Sequence, residues 1–313
     1  MKRCLITGGA GFIGAHLAEA LVKRGQSVRI LDDFSTGREE NLSDIRKDVE
    51  VIRGDIRDKE TTAAALRDME WVFHLAAAAS VPRSVKDPLG VNETNVGGTL
   101  NILMQAREAG VARLVYAASS SAYGESPISP KHEGLPTDPR SPYAASKLAG
   151  EDYCRAFFHV YGLETVCLRY FNVFGPRQDP DSPYAAVIPL FIRALLEGGS
   201  PQVFGDGEQT RDFTYVANVV DANLRAAEAP APDACGLVIN AACGDEFSLN
   251  QLLQQLGHLI GVTPNSTYLS PRPGDVRHSR ADITRARQHL GYEPSVSFEE
   301  GLKLTVDWHL AHV

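Results

Sequence analysis

Gly8-Gly9-Ala10-Gly11-Phe12-Ile13-Gly14 holds two overlapping glycine patterns, Gly9-x-Gly11-x-x-Gly14 and Gly8-x-x-Gly11-x-x-Gly14. Glycine lets the chain turn tightly and lets backbone approach a pyrophosphate. A helix starting here offers that anion free N–H groups and a positive dipole end. A glycine run by itself is only a flexible turn, so the surroundings decide the reading. Cys4-Leu5-Ile6-Thr7 reads as a short buried strand, residues 15–24 have helical periodicity ended by Gly25, and residues 27–31 read as a second strand. Such a strand–helix–strand unit, followed by the acidic Asp32, is the pattern that holds a dinucleotide. Gly8, Gly11, Phe12, Ile13 and Gly14 are therefore expected around the cofactor. Asp32 is expected on the adenosine ribose, with Asp33 either sharing that role or forming the turn before Phe34. A carboxylate there repels a 2′-phosphate, which favours NAD over NADP. Asp55 and Ile56, after the third strand, are expected at the adenine edge, or Asp55 caps a helix.

Outward from this unit the alternation continues. Strands are expected at 49–52, 71–75, 114–117 and 164–169, and helices at 61–67, 92–108 and 143–161, the last two closed by Gly110 and Gly162. Strands alternating with helices imply an α/β fold, a Rossmann-type doubly wound parallel sheet covered on both faces. After Gly175 the regularity fails, with Pro176, Pro180, Pro183 and Pro189 close together. A helix at 219–227 and a strand at 237–240 then return to the large sheet. The expected division is a dinucleotide-binding domain from 1–175 and about 213–243, and a smaller mixed α/β substrate domain from about 176–212 and 244–313.

Composition narrows the function. A net charge of -8 lacks the basic footprint of a nucleic-acid partner. Five scattered cysteines with no CxxC spacing exclude a zinc site or a disulfide framework, so no metal is expected and a reducing cytoplasm fits. No stretch is long enough to span a bilayer.

Tyr143-Ala144-Ala145-Ser146-Lys147 puts a phenol and an ammonium four residues apart, on one side of a helix. Alone, this is an ordinary half-buried tyrosine and a solvated lysine. Beside a dinucleotide site it reads as a general base whose pKa the lysine lowers. The Ser119-Ser120-Ser121 run supplies a hydroxyl donor after another strand. Together these point to redox chemistry at a carbinol carbon.

These motifs, in order, carry a family likeness. GGAGFIG at Gly8, DD at Asp32, GDIRD at Gly54, HLAA at His74, SSSAYG at Ser119, YAASK at Tyr143, RYFNVFGPRQ at Arg169, GDGEQTRDF at Gly205 and RPGDVRHS at Arg272 span nearly the whole chain. The chain resembles the extended short-chain dehydrogenase/reductase family, in particular nucleotide-sugar 4-epimerases of the UDP-glucose/UDP-N-acetylglucosamine type. The resemblance implies that Tyr143 takes the proton of the sugar 4-hydroxyl, that Lys147 holds the nicotinamide ribose, and that Ser119 hydrogen-bonds the 4-oxygen. It also implies a tightly held NAD against Leu75, Ala76, Ala77, Asn95 and Phe171, and a homodimer paired through the helices at 92–108 and 143–161. Dehydratases similar to this chain carry Asp-Glu where Ser120-Ser121 stand, and related decarboxylases carry Glu at Ser121. Without that extra acid and base, epimerisation is favoured over elimination.

For the substrate, the resemblance places Asn172, Arg211 and Arg272 on a sugar diphosphate, Asp275 on the nucleotide ribose and Phe204 along the uracil. Ser80, Ser120 and Val187 are implied beside the sugar nucleotide. Ser279 falls where glucose-specific relatives carry a bulky tyrosine, so it leaves volume for an N-acetyl group. The expected substrates are UDP-N-acetylglucosamine/UDP-N-acetylgalactosamine, with UDP-glucose/UDP-galactose also admitted. The alternatives are a UDP-glucuronate 4-epimerase, a net oxidoreductase and a non-catalytic NAD-binding protein. Residues 76–79, four alanines, replace a more polar stretch of many relatives.

Overall fold

A computed structural model describes residues 1–180, 186–271 and 276–312. Its centre is a sheet of parallel strands: β1 (Arg3–Thr7), β2 (Ser27–Asp32), β3 (Val49–Arg53), β4 (Trp71–His74), β5 (Arg113–Ser119), β6 (Glu164–Tyr170) and, last in the chain, Val238–Ala241. Across the sheet the order is β3, β2, β1, β4, β5, β6, Val238–Ala241. The winding therefore reverses between β1 and β4, which is where a doubly wound sheet opens a crevice.

The apolar runs follow from burial on both faces. Successive strand side chains point to opposite sides. Cys4, Ile6, Ile30, Phe73, Val115 and Val166 enter one core, and Leu5, Leu31, Val72, Leu114, Tyr116 and Cys167 the other. The helix α1 (Phe12–Lys23) and the helix Val216–Glu228 cover the first face. The other is covered by α2 (Lys59–Leu66), α5 (Thr99–Glu108) and α6 (Pro142–Tyr161). α6 starts on Ser141, whose side chain accepts the Ala144 N–H, and ends at Gly162 in the left-handed region. A third apolar cluster, built on Phe174, Phe191, Leu252 and Phe298, lies beneath short strands of the later chain.

Two differences from the sequence expectation matter for the site. A short helix, α3 (Val81–Lys86), follows β4. The long helix expected at 92–108 starts earlier, as α4 (Pro88–Asn92), and passes through a π-helical turn, Glu93–Gly98, before α5. A Cβ on Gly98 would lie 2.6 Å from Ile56 Cδ1, so this turn packs closer to Ile56 than any side chain allows. Such turns often mark functional sites. The strand at Val238–Ala241 returns to the large sheet as expected, and it lies at the edge beside β6.

Candidate active site

The crevice at the β1/β4 reversal is a cavity of about 500 Å3. Gly8, Gly11, Phe12, Ile13, Gly14, Asp32, Asp33, Asp55, Ile56, Leu75, Ala76, Ala77, Tyr143 and Lys147 line it together. The glycines have local causes. Gly8 sits at φ +70, and a Cβ there would approach Ala76 N to 2.8 Å. A Cβ on Gly14 would lie 2.2 Å from Gly8 O. Gly11 is the N-cap of α1 and offers no side chain to its first amides, so that end is left to a ligand anion.

Asp32 is buried. Its Oδ2 accepts the Ala10 N–H (2.9 Å) and its Oδ1 the Phe34 N–H (2.8 Å), which secures the glycine turn and leaves one lone pair on each oxygen. Burial raises its pKa, and the two amides oppose that shift. Asp33 is exposed and holds the Ser35 N–H and hydroxyl at 2.9 and 2.6 Å. Asp55 is held below the usual carboxylate range by its forked bonds to Arg57, of which the shortest is 2.6 Å. Arg57, Arg83, Asp87 and Thr94 also line the cavity. Sequence reasoning missed them, although GDIRD and SVPRS contain the two arginines.

Two residues expected against the dinucleotide are elsewhere. Phe171 is fully buried and packs on Tyr123 inside the core. Asn95 is 1% exposed and makes no part of the cavity wall. Its oxygen accepts the Ala78 N–H (2.7 Å) and its nitrogen donates to Ser146 Oγ (2.9 Å), while Ser146 Oγ donates to Tyr143 O (2.8 Å). The π-helical turn thus ties the alanine segment to the middle of the Tyr143–Lys147 turn. Asn95 bridges Ala78 and Ser146, and residues 76–79 line the cleft as four alanines.

Ser119 lies beside the Tyr143 phenol, and its Oγ accepts the Ser121 N–H (3.2 Å) and hydroxyl (2.8 Å). Lys147 is 4% exposed, and its ammonium lies 4.5 Å over the Tyr116 ring with no carboxylate partner among the described residues. Such a buried cation calls for polar ligand atoms. The expected lowering of the tyrosine pKa is corrected here. Burial raises the Tyr143 pKa, Ser119 opposes it, and burial lowers Lys147 to about 8. Desolvation disfavours both charged forms, and the ammonium packs on Tyr116.

A second cavity, of about 750 Å3, gathers Asn172, Val187, Phe204 and Arg211. Residues 79–83 border both cavities, with Ala79 and Arg83 on the first and Val81 on the second. Ser80 caps α3 by accepting the Arg83 N–H (3.1 Å). Ser120 opens the 3-10 turn after Ser119, and Ser279 pairs with Arg211 between two short strands without lining either cavity. Arg272 and Asp275 lie outside the described residues. Among the described residues no His, Cys, Asp and Glu cluster can hold a metal, and no helix is long and apolar enough to cross a membrane.

Comparison with known proteins agrees with this geometry. Residues 4–242 match the model of the NAD dependent epimerase/dehydratase family. The chain is 41% identical over 310 residues to a UDP-glucose 4-epimerase of Mycolicibacterium smegmatis, covering 98% of each. It superposes with TM-score 0.95 and 42% identity on a UDP-N-acetylglucosamine 4-epimerase of Methanobrevibacter ruminantium in complex with UDP-N-acetylmuramic acid, covering 100% of this chain and 99% of that one. A UDP-glucose 4-epimerase of Thermus thermophilus in complex with NAD gives 0.91 and 38%, covering 99% and 100%.

Proposed function

The chain belongs to the NAD dependent epimerase/dehydratase family, and on that premise we propose that it interconverts the C4 epimers of a UDP-hexose through a transient 4-keto sugar. The observation that carries this reading is that Tyr143 and Lys147 line the same cleft as the glycine turn, with Ser119 close enough to the phenol to lower its pKa. The turn, the uncapped start of α1 and the buried Lys147 ammonium fit a dinucleotide. When bound, NAD supplies the hydride acceptor and donor at C4 and a positive ring that favours the phenolate. Tyr143 takes the proton of the 4-hydroxyl and Ser119 steadies the 4-oxygen. The keto sugar turns over in the second cavity, and Tyr143 returns the proton. Asn172, Arg211 and Arg272 hold the diphosphate, Asp275 the nucleotide ribose and Phe204 the uracil.

Ser279, small and beside Arg211, supports acceptance of N-acetylated sugars. The serines at 120 and 121 support epimerisation over elimination. The division of labour assigns 1–175 and about 213–243 to NAD, and about 176–212 and 244–313 to the sugar nucleotide. Exposed Tyr153, Val160 and Tyr161 on α6, with exposed Val85 on α3 and Leu89 on α4, both helices that contact α6, support a homodimer. Sedimentation at micromolar concentration should show the pair, and a monomer alone would remove it.

The test of function is incubation of the purified protein with UDP-N-acetylglucosamine, UDP-glucose and UDP-glucuronate without added NAD, followed by separation of epimers. Interconversion of the N-acetylated pair is expected. Stoichiometric release of NADH, or no conversion of any of them, would overturn the reading.

A pH dependence follows from Lys147. Below pH about 8 it is an ammonium, and above that it is increasingly neutral. Dinucleotide oxygens favour the charged form, so binding takes up a proton above pH 8 and affinity falls as pH rises. The Kd for NAD should weaken by roughly three- to tenfold from pH 8 to 9, the ceiling for one linked proton being tenfold per unit. Calorimetry in buffers of different ionisation heat reads both the affinity and the proton. Lys147→Met should abolish the slope. For stability the sign is opposite: the unfolded chain binds that proton more tightly between about 8 and 10.5, so the protein without dinucleotide gains stability as pH rises through that window.

A further inference from the structure

Asp212 is fully buried where three separated stretches of chain meet. Its Oδ1 accepts the backbone N–H of Cys243 (3.0 Å), and its Oδ2 those of Gly244 (2.9 Å) and Ala281 (3.1 Å). Its own N–H donates to Ser279 O (2.6 Å), and its carbonyl accepts the side-chain amide of Asn172 (3.2 Å). Arg211 precedes it in the chain. One residue therefore joins Asn172, just after β6, to the Arg211 strand and to the Ser279 strand, and ties all three to the loop that leaves the last strand of the large sheet.

Among the described residues no ion pair reaches this carboxylate. Its ionisable neighbours include Asp245, the Cys243 thiol and the Tyr292 phenol, and Arg280 donates to the Gly244 carbonyl. Burial pushes the carboxyl up to about 7 against the pull of the three amides. An apolar residue of similar size would avoid that cost but would leave three amides without an acceptor. What the carboxylate supplies is geometry, a fixed register among three separate backbones.

We propose that Asp212 is a positioning residue that fixes Asn172, Arg211 and Ser279 in one register and so sets the affinity of the second cavity for a nucleoside diphosphate. The inference rests on the proposed function, since it takes that cavity as the sugar-nucleotide site. It also separates the two halves of the cleft, because no contact of Asp212 reaches the glycine turn or the Tyr143–Lys147 turn.

The test is titration of the NAD-loaded protein with UDP, comparing wild type with Asp212→Asn. The amide replaces one acceptor oxygen by a donor that meets backbone N–H groups. The Kd for UDP should rise by about tenfold or more, the cost of unpaired buried donors, while the Kd for NAD stays unchanged. KM for the sugar nucleotide should rise by more than kcat falls. UDP binding within about threefold of wild type, or an equal loss of NAD affinity, would overturn the proposal. If the variant does not fold, amide exchange of the wild type decides. UDP should slow exchange at Cys243, Gly244 and Ala281 together, and unchanged exchange at all three overturns the proposal. A wild type that binds no UDP overturns the functional reading, and this inference with it.

Discussion

Tyr143→Phe should lower kcat by about 10²–10⁴-fold, the usual worth of a positioned general acid–base group, while NAD binding and thermal stability stay close to wild type. The substitution removes one oxygen. That oxygen lies beside the Ser119 hydroxyl, which keeps its bonds from the Ser121 amide and hydroxyl when the phenol is gone. The ring still fills its place at the start of α6, and Ser146 still donates to the Tyr143 backbone carbonyl. The loss therefore falls on proton transfer and not on architecture. Three measurements separate these: epimerisation rate, NAD occupancy of the purified protein, and Tm. Activity within tenfold of wild type would remove Tyr143 from the chemistry. Loss of NAD in parallel with the rate would make it a binding residue instead.

Glu151→Ala should be the most destabilising single change near the site. Glu151 lies one helical turn beyond Lys147 and faces Arg169 on β6, with both side chains under 5% exposed. Two parallel bonds join them, Arg169 Nη2 to Oε1 at 2.6 Å and Nε to Oε2 at 2.9 Å, and the guanidinium also lies 4.6 Å over the Tyr123 ring. Removing the carboxylate leaves an uncompensated cation in the core, at a cost of about 3–5 kcal/mol. For a chain of this size that is a fall in Tm of roughly 10 °C. The pair itself need not be net stabilising. Glu151→Leu combined with Arg169→Met should therefore recover most of the loss, and a double variant as unstable as Glu151→Ala would refute this account. Because Glu151 shares α6 with Tyr143 and Lys147, activity should fall earlier on heating in Glu151→Ala than in wild type.

The large sheet was legible because its strands are buried on both faces. Such strands need unbroken apolar runs, and Cys4-Leu5-Ile6 or Leu114-Val115-Tyr116 can be read without knowing their neighbours. The glycine turn was legible for a local reason, since Gly8 takes a positive φ and Gly14 packs on the backbone of Gly8 and Gly9. The Tyr143–Lys147 spacing placed both side chains on the cavity, but their titration did not follow from spacing. The sign of the Tyr143 shift depends on how deeply the phenol is buried, against the opposing pull of Ser119, a residue of another element. Asn95 and Phe171 show the same limit. Both were expected beside the cleft, yet a π-helical turn aims Asn95 at Ala78 and Ser146, and core packing takes Phe171 inward. Asp212 stood in a quoted motif without attracting notice, because its partners are backbone amides 31 to 69 positions away.

The edge strand at Val238–Ala241 has a consequence for synthesis. The β6 segment emerges from the ribosome long before the strand that will cover its outer side, and in that interval its main-chain groups face water along a bare margin. The Thr165 carbonyl, later capped by Gly236 N–H, and the Cys167 N–H, later bonded to Leu237 O, belong to that margin. A nascent chain halted once β6 has cleared the exit tunnel, but before Val238–Ala241 has, should therefore recruit chaperones or self-associate through this margin. One halted after that strand has also emerged should do so much less, and ribosome-bound crosslinking at the two arrest points would read the difference.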